Sequence, residues 1–159
     1  MQDNYIELPQ PQDLSDLDKE DAIGAYLMMF GSLAAGLPLP IINLIASVIY
    51  FYLNKSKSPF VYFHSYQSLI SQIPLTIMNM GCLSWGIFGE GYKTDDWLAF
   101  LILTIIANLV YFVFSLIGCM KARKGKMYYF LFFGKLAYIK AFSKRHNPQS
   151  VEVNKPPSL

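Results

Sequence analysis

The sequence predicts an all-α integral membrane protein, a helical bundle with three spans and a further C-terminal helix at the membrane interface. Apolar residues make up 53% of the 159 residues and charged residues 15%. Three long windows, residues 22–54, 58–89 and 97–120, contain no charged residue. Because a bilayer core needs roughly 20 apolar helical residues to cross it, each window is long enough to span. A β-barrel would alternate apolar and polar residues instead.

Both ends of the chain are predicted to be flexible tails around a transmembrane domain of residues 22–142. Residues 1–21 contain seven acids and one lysine, and such a segment has little apolar surface to bury. A cleavable secretion signal would open with positive charge, so none is expected. Residues 143–159 are predicted to form the second tail.

The first span, about residues 22–53, is too long for one upright crossing. Its roughly 32 residues would make a helix of about 48 Å at 1.5 Å per residue. The run GLPLP at 36–40 interrupts it, because Pro38 and Pro40 disfavour helix. Two arrangements stay open: a half-helix leading into a kinked single crossing, or a re-entrant hairpin that would put the acidic tail inside. The charge distribution favours the kinked crossing.

Charge segregation predicts the orientation. Eleven of the 13 basic residues lie between the first two spans or after the third, and 10 of the 11 acids lie in the N-terminal tail or between spans two and three. Lys and Arg in short loops stay on the cytoplasmic side. We therefore expect a multi-pass protein of the bacterial inner (cytoplasmic) membrane, with the C-terminus in the cytoplasm and the N-terminus outside. Cys82 and Cys119 fall at opposite faces, so no disulfide is expected.

The second span, about residues 60–87, begins in the stretch SPFVYFHSYQSLI at 58–70. Ser58 is suited to cap the helix and Pro59 to occupy its first position. A polar face follows from the spacing of 100° per residue, and its members are His64, Gln67, Ser68, Ser71, Gln72 and Asn79. Polar side chains avoid lipid, so this face should point at other helices or a cavity.

The third span, about residues 97–120, carries Asn108, the predicted partner of this intramembrane polar face. Two interpretations of the face stay open. It either supplies polar contacts between helices or forms a hydrophilic entry or contact face on the cytoplasmic side.

A basic segment follows the third span and should lie at the lipid interface. Its members are Lys121, Arg123, Lys124 and Lys126. Residues 127–142 are aromatic but too short to span, which predicts an interfacial helix that contacts anionic lipid. This helix serves either as a plain anchor or as a docking surface for a partner.

Nothing in the sequence indicates catalysis. The two histidines are His64 in a span and His146 in the basic tail, no acid lies in a span, and the cysteines lack metal-ligand spacing. We expect no enzyme activity, catalytic residue, cofactor, metal or nucleic-acid partner.

The run KSPFVYFHSYQSLI and the later ARKGKMYYF together resemble the paired signature of a bacterial family of small membrane proteins of unknown function. That family is similar to the small membrane subunit of the chloroplast inner-envelope protein-import translocon. The matching positions are Ser58, Pro59, Phe60, Val61, His64, Gln67, Ser68, Leu69, Gly125 and Tyr128. The sequence departs from the pattern at Tyr66, Lys126 and Phe130, where the family has a basic residue, an acid and a proline.

The expected function is that of a non-catalytic subunit or accessory factor of a membrane complex. The resemblance implies protein translocation or insertion. The expected partners are the lipid bilayer and other integral membrane subunits. The alternative is a self-assembling channel or carrier for small solutes, lined by the polar face.

Overall fold

The computed structural model describes residues 8–30, 40–142, 154 and 157, and all regular structure within them is helical. The five α-helices in these ranges are α1 (Asp16–Leu27), α2 (Pro40–Asn54), α3 (Pro59–Phe88), α4 (Asp95–Arg123) and α5 (Phe133–Ala141). Two 3-10 turns, Met28–Phe30 and Gly91–Lys93, follow α1 and α3. The all-α prediction is confirmed.

Helix α1 begins inside the segment that was predicted to be an acidic tail. The side chain of Ser15 accepts a hydrogen bond from the Asp18 amide at 3.0 Å and so caps the helix. Asp16 and Asp18 lie in the first turn, where negative charge is favourable. The tail boundary at residue 21 is therefore wrong, because a cap and two acids start a helix at residue 16.

Helices α1 and α2 run antiparallel. The Tyr50 hydroxyl donates to the Asp21 carbonyl at 2.8 Å, and Lys57 Nζ lies 2.7 Å from Asp21 Oδ2. At their other ends, Phe30 and Pro40 line one cavity. The two helices are thus arranged as a hairpin, and whether this segment crosses the membrane once or re-enters it stays a prediction. Most of the predicted kink, residues 36–39, lies outside the described residues.

Helices α3 and α4 begin and end within three residues of the predicted bounds. Ser58 caps α3 and Pro59 is its first residue, as predicted. Thr94 caps α4 by accepting from the Trp97 amide at 3.2 Å. At 1.5 Å per residue both helices are about 45 Å long, which exceeds the hydrocarbon core.

One helix among the described residues, α4, is both long and apolar enough to cross a membrane. Only 11% of its most apolar window is buried inside the protein, unlike a core helix of a soluble domain. Helix α3 is as long, but its polar residues lower its mean hydropathy, and α2 is short at 15 residues. The structure therefore shows one candidate span where three were predicted.

The interfacial segment is helical over Phe133–Ala141 only, not over the predicted 127–142. Met127 and Phe130 precede the helix and are buried in the main apolar cluster. Within α5, Gly134 and Ala137 are buried, and this helix packs against α3. The segment is thus docked on the bundle.

The apolar core lies at one end of the bundle, which we call the proximal end and which is formed by residues 8–15, 55–58 and 124–127. The opposite, distal end is formed by residues 89–95. Leu8 and Leu14 from the chain start pack there with Phe60 of α3 and Ala122 of α4. This end is consequently closed by apolar contacts.

Asn154 fastens the proximal end from the far end of the chain. Its side chain accepts from the Met127 amide at 2.8 Å and donates to the Pro9 carbonyl at 2.6 Å and the Gly125 carbonyl at 3.0 Å. Asn154 is 2% exposed. The predicted flexible tail 143–159 therefore contains a docked residue, because an asparagine side chain can satisfy three backbone groups at once. Residues 143–153 lie outside the described residues.

Gly118 allows α1 and α4 to approach closely. A Cβ at this position would lie 2.8 Å from Cζ of Tyr26, whereas a Cβ at Gly81 would have no atom within 4 Å. We expect Gly118→Ala to destabilise the protein by about 1–3 kcal/mol through overpacking. Gly81→Ala is the matched control and should be neutral or stabilising by up to about 1 kcal/mol. Thermal unfolding in detergent measures both, and equal effects would contradict this packing.

Candidate functional site

The predicted polar face of α3 lies against α1, α2 and the segment before α5. His64, Gln67, Ser68, Ser71 and Gln72 are all buried, with exposed fractions of 4% or less. Asn79, further along the helix, is half-buried. The face is divided into three groups of contacts, each with a different partner.

The first group joins α3 to Tyr26 of α1. The Tyr26 hydroxyl lies 2.7 Å from His64 Nδ1 and accepts from Gln67 Nε2 at 2.9 Å. Because Gln67 donates to the hydroxyl oxygen, the hydroxyl proton is left to point at His64, which makes Nδ1 the acceptor. The rings of Phe60 and Phe63 pack edge-on against the imidazole. His64 is thus enclosed by aromatic rings.

Gln67 also holds the segment that leads to α5. Its Nε2 donates to the Tyr128 carbonyl at 2.9 Å, and its Oε1 accepts from the Phe130 amide at 3.1 Å. A glutamine amide can satisfy one carbonyl and one amide in this way. Gln67 therefore connects α1, α3 and residues 128–130 through one side chain.

The second group joins α3 to the hairpin. Ser68 Oγ donates to the Ala25 carbonyl of α1 at 2.7 Å. Gln72 Nε2 donates to Ser47 Oγ of α2 at 2.5 Å. Ser71 Oγ bonds the Ser68 carbonyl within α3 at 2.9 Å. The first two bonds fix the depth at which α1 and α2 lie against α3.

The third group is a pair of amides between α3 and α4. Asn79 Nδ2 donates to Asn108 Oδ1 at 3.2 Å, and Asn108 Nδ2 donates back to Asn79 Oδ1 at 2.9 Å. Each Nδ2 also bonds a carbonyl one turn earlier in its own helix. Asn108 is therefore paired with Asn79, whereas Gln72 of the same face bonds Ser47 of α2.

A cavity of about 920 Å³ lies beside this amide pair, lined by α3, α4 and the facing ends of the two hairpin helices. Its walls are mainly apolar and include Leu83, Ile87 and Leu101, with Tyr92 and Trp97 near the distal end. The Trp97 indole donates to the Cys82 carbonyl at 3.0 Å. The polar face thus ends where this apolar cavity begins.

The distal end carries exposed acids on a tight turn. Glu90 adopts a left-handed conformation with φ of 52° and pairs with Lys93 at 2.8 Å. Asp95 and Asp96 follow in the first turn of α4 and are exposed. No three His, Cys, Asp or Glu side chains within the described residues converge as a metal site would require.

The predicted basic residues lie at the proximal end. Lys121, Arg123 and Lys124 are exposed and Lys126 is half-buried, all around the last turn of α4. Across from them, burial would raise the pKa of Asp18, but hydrogen bonds from Ser15 and Ser58 and the charge of Lys57 lower the pKa instead. Both signs of charge therefore meet at this end. Cys82 and Cys119 are free thiols.

Three residues of the polar network were not predicted from the sequence. Tyr26 and Ser47 lie in the first uncharged window, where no charge or spacing marks them. Asn154 lies in a segment whose composition is typical of a tail. The signal that could have found α1 is the run from Ser15 to Asp18, a cap followed by an acid.

A model of the MamF/MmsF family, described as the magnetosome magnetite crystal formation protein family, matches residues 20–137. No curated protein matches the chain, and neither does a solved structure. The match shows that the resemblance to the relatives of a chloroplast translocon subunit is wrong. The two functions expected from the sequence, a subunit for protein translocation or insertion and a channel or carrier for small solutes, are therefore wrong as well.

The residues that suggested that resemblance have structural roles. Ser58 and Pro59 start α3, Phe60 and Val61 are buried, and Gln67 bonds three partners. These roles belong to the start of α3 and to its packing, and none of them requires translocation. The motif therefore reflects the fold and carries no evidence of translocation.

Proposed function

Because the chain belongs to the MamF/MmsF magnetosome family of membrane proteins, we propose that it lies in the magnetosome membrane and takes part in magnetite crystal formation as a non-catalytic protein. Its distal end would meet the growing mineral. The observation that carries the proposal is the exposed acidic turn, Glu90 to Asp96, at the end of the bundle opposite the basic residues.

The distribution of basic residues supports this orientation. Lys93 is the one basic residue at the distal end among the described residues, and it is paired with Glu90. The other described basic residues lie on the proximal side or on α5: Lys19, Lys55, Lys57, Lys121, Arg123, Lys124, Lys126, Lys135 and Lys140. By the positive-inside rule the proximal end faces the cytoplasm, so the distal turn faces the lumen.

In this topology α3 and α4 cross the membrane, and α1 and α2 enter it from the cytoplasm and return. Both chain ends are then cytoplasmic. The exposed apolar side chains of α2 and α4, such as Ile45, Leu53 and Leu109, would contact lipid or other membrane subunits. The basic residues after α4 would contact anionic headgroups of the cytoplasmic leaflet.

Carboxylates on the turn have the chemistry that an iron oxide surface requires. Oxygen ligands of this kind bind hard metal ions, and the helix start positions Asp95 and Asp96 at the tip of the bundle. The absence of a convergent cluster among the described residues favours contact with a crystal face over chelation of a single ion. Contact of the turn with the crystal then depends on the negative charge of its carboxylates and on their position at the distal end.

The test is a triple variant, Glu90→Gln, Asp95→Asn and Asp96→Asn, expressed in cells that lack the native protein. Electron microscopy should show crystals whose size and shape match those of cells without the protein, at unchanged protein level and location. The matched control is Asp13→Asn with Asp16→Asn, which removes exposed carboxylates from the proximal end and should leave crystals normal. Normal crystals with the triple variant would refute the role of the turn.

A further inference from the structure

A groove of about 650 Å³ lies between α1 and α4 on the proximal side. Its inner part is apolar, with Ile23 and Leu27 on α1 and Leu116 and Met120 on α4. Its mouth is charged, with Asp16, Lys19 and Glu20 on α1 and Arg123 on α4. The groove thus changes from charged to apolar along its length, as a membrane boundary does.

The register of α1 against α4 explains why the charged residues lie at the mouth and the apolar residues lie further in. Cys119 Sγ lies 3.8 Å from the Ile23 carbonyl, and a Cβ on Gly118 would meet Tyr26. The helices are antiparallel, so Arg123, one turn after Cys119, lies beside the first turns of α1. Leu116 accordingly lies toward Leu27 and the membrane interior.

The charges at the mouth leave one cation and one anion available. Lys19 is paired with Asp16 at 3.2 Å. Among the described residues, neither Glu20 nor Arg123 takes part in an ion pair, and both are exposed. The mouth therefore offers a carboxylate and a guanidinium that are not bonded to each other.

We propose that this groove binds one zwitterionic aminophospholipid of the phosphatidylethanolamine type. Arg123 binds the phosphate, since a guanidinium pairs with phosphate oxygens through two hydrogen bonds. Glu20 accepts hydrogen bonds from the primary ammonium group. One acyl chain lies along Ile23, Leu27, Leu116 and Met120.

Both headgroup charges are needed for this fit. Phosphatidylglycerol has the phosphate but no cation for Glu20, so that carboxylate would face an anionic lipid. Phosphatidylcholine has a cation, but its quaternary ammonium has no N–H to donate. The groove is therefore expected to distinguish three lipids that have the same acyl chains.

The experiment is native mass spectrometry of the full chain in detergent with an equimolar mixture of dioleoyl phosphatidylethanolamine, phosphatidylcholine and phosphatidylglycerol. The singly lipid-bound form should contain phosphatidylethanolamine in about tenfold excess over each competitor, the factor expected for one charge-assisted hydrogen bond. Equal occupancy by the three lipids, or a preference for either competitor, would overturn the proposal.

Variants show whether this groove is the site. Glu20→Lys should reverse the preference toward phosphatidylglycerol, an outcome that misfolding would not produce. Arg123→Gln should reduce the occupancy of phosphatidylethanolamine about tenfold. Lys55→Gln removes an exposed charge of the proximal end outside the groove and should change neither. Retention of the original preference in Glu20→Lys would place the lipid elsewhere and refute the site.

Discussion

Cysteines introduced by Asp13→Cys and Lys124→Cys should both react with an impermeant thiol reagent applied to intact isolated magnetosomes. A cysteine introduced by Asp95→Cys should react only after the membrane has been opened. Positions 13 and 124 should react alike because residues 8–14 pack beside the turn after α4: a Cβ on Gly125 would lie 2.9 Å from Pro11 Cα. The expected change at position 95 is from almost no labelling to complete labelling.

The labelling needs a background without the native thiols. Cys82 is buried, but Cys119 is only half-buried, so part of it is open to the reagent. Replacement of both by alanine provides it, and the unsubstituted background is the control. A single kinked crossing makes the opposite prediction for position 13, which would then be protected together with position 95. Protection at position 13 alongside labelling at position 124 would therefore disprove the hairpin topology.

Gln67→Leu is expected to be the most destabilising single polar substitution in α3. It leaves the buried Phe130 amide, the Tyr128 carbonyl and the Tyr26 hydroxyl without the partner each has now. Polar contacts between membrane helices average about 0.6 kcal/mol, but orphaned backbone groups cost about 1–3 kcal/mol each. We expect a loss of about 2–4 kcal/mol, measured by thermal unfolding of the detergent-solubilised protein.

The matched control is Gln12→Leu, because Gln12 is exposed. It makes the same chemical change without removing a buried partner, and it should alter stability by less than about 0.5 kcal/mol. Limited proteolysis gives a second reading, since residues 128–130 and α5 should become more accessible in Gln67→Leu. If the two variants unfold alike, Gln67 does not hold that segment.

The sequence was sufficient to predict the all-α class, the start of α3 and the face that carries His64, Gln67 and Gln72. These features depend on local chemistry: a serine followed by proline starts a helix, and polar side chains at helical spacing share a face. The structure shows that this face is buried. Local rules were enough because each feature is encoded within a few turns.

The hairpin and the partners of the polar face required the tertiary structure. Nothing local indicates that Tyr26 reaches His64 or that Ser47 bonds Gln72. The charge rule could not decide the arrangement of the N-terminal segment, because acids contribute little to it. Asp21 instead lies beside Lys57, a contact between residues far apart in the chain that composition does not reveal.

The contacts of Asn154 set an order of events during synthesis. This residue is made about 140 residues after Leu14, which at 5–20 residues per second takes roughly 7–28 s. Throughout that interval the first segment has been made, but the side chain that ties Pro9 to Gly125 and Met127 does not yet exist. The contacts that join Pro9, Gly125 and Met127 through Asn154 therefore form only after translation has passed Asn154, and the helices must assemble without them until then.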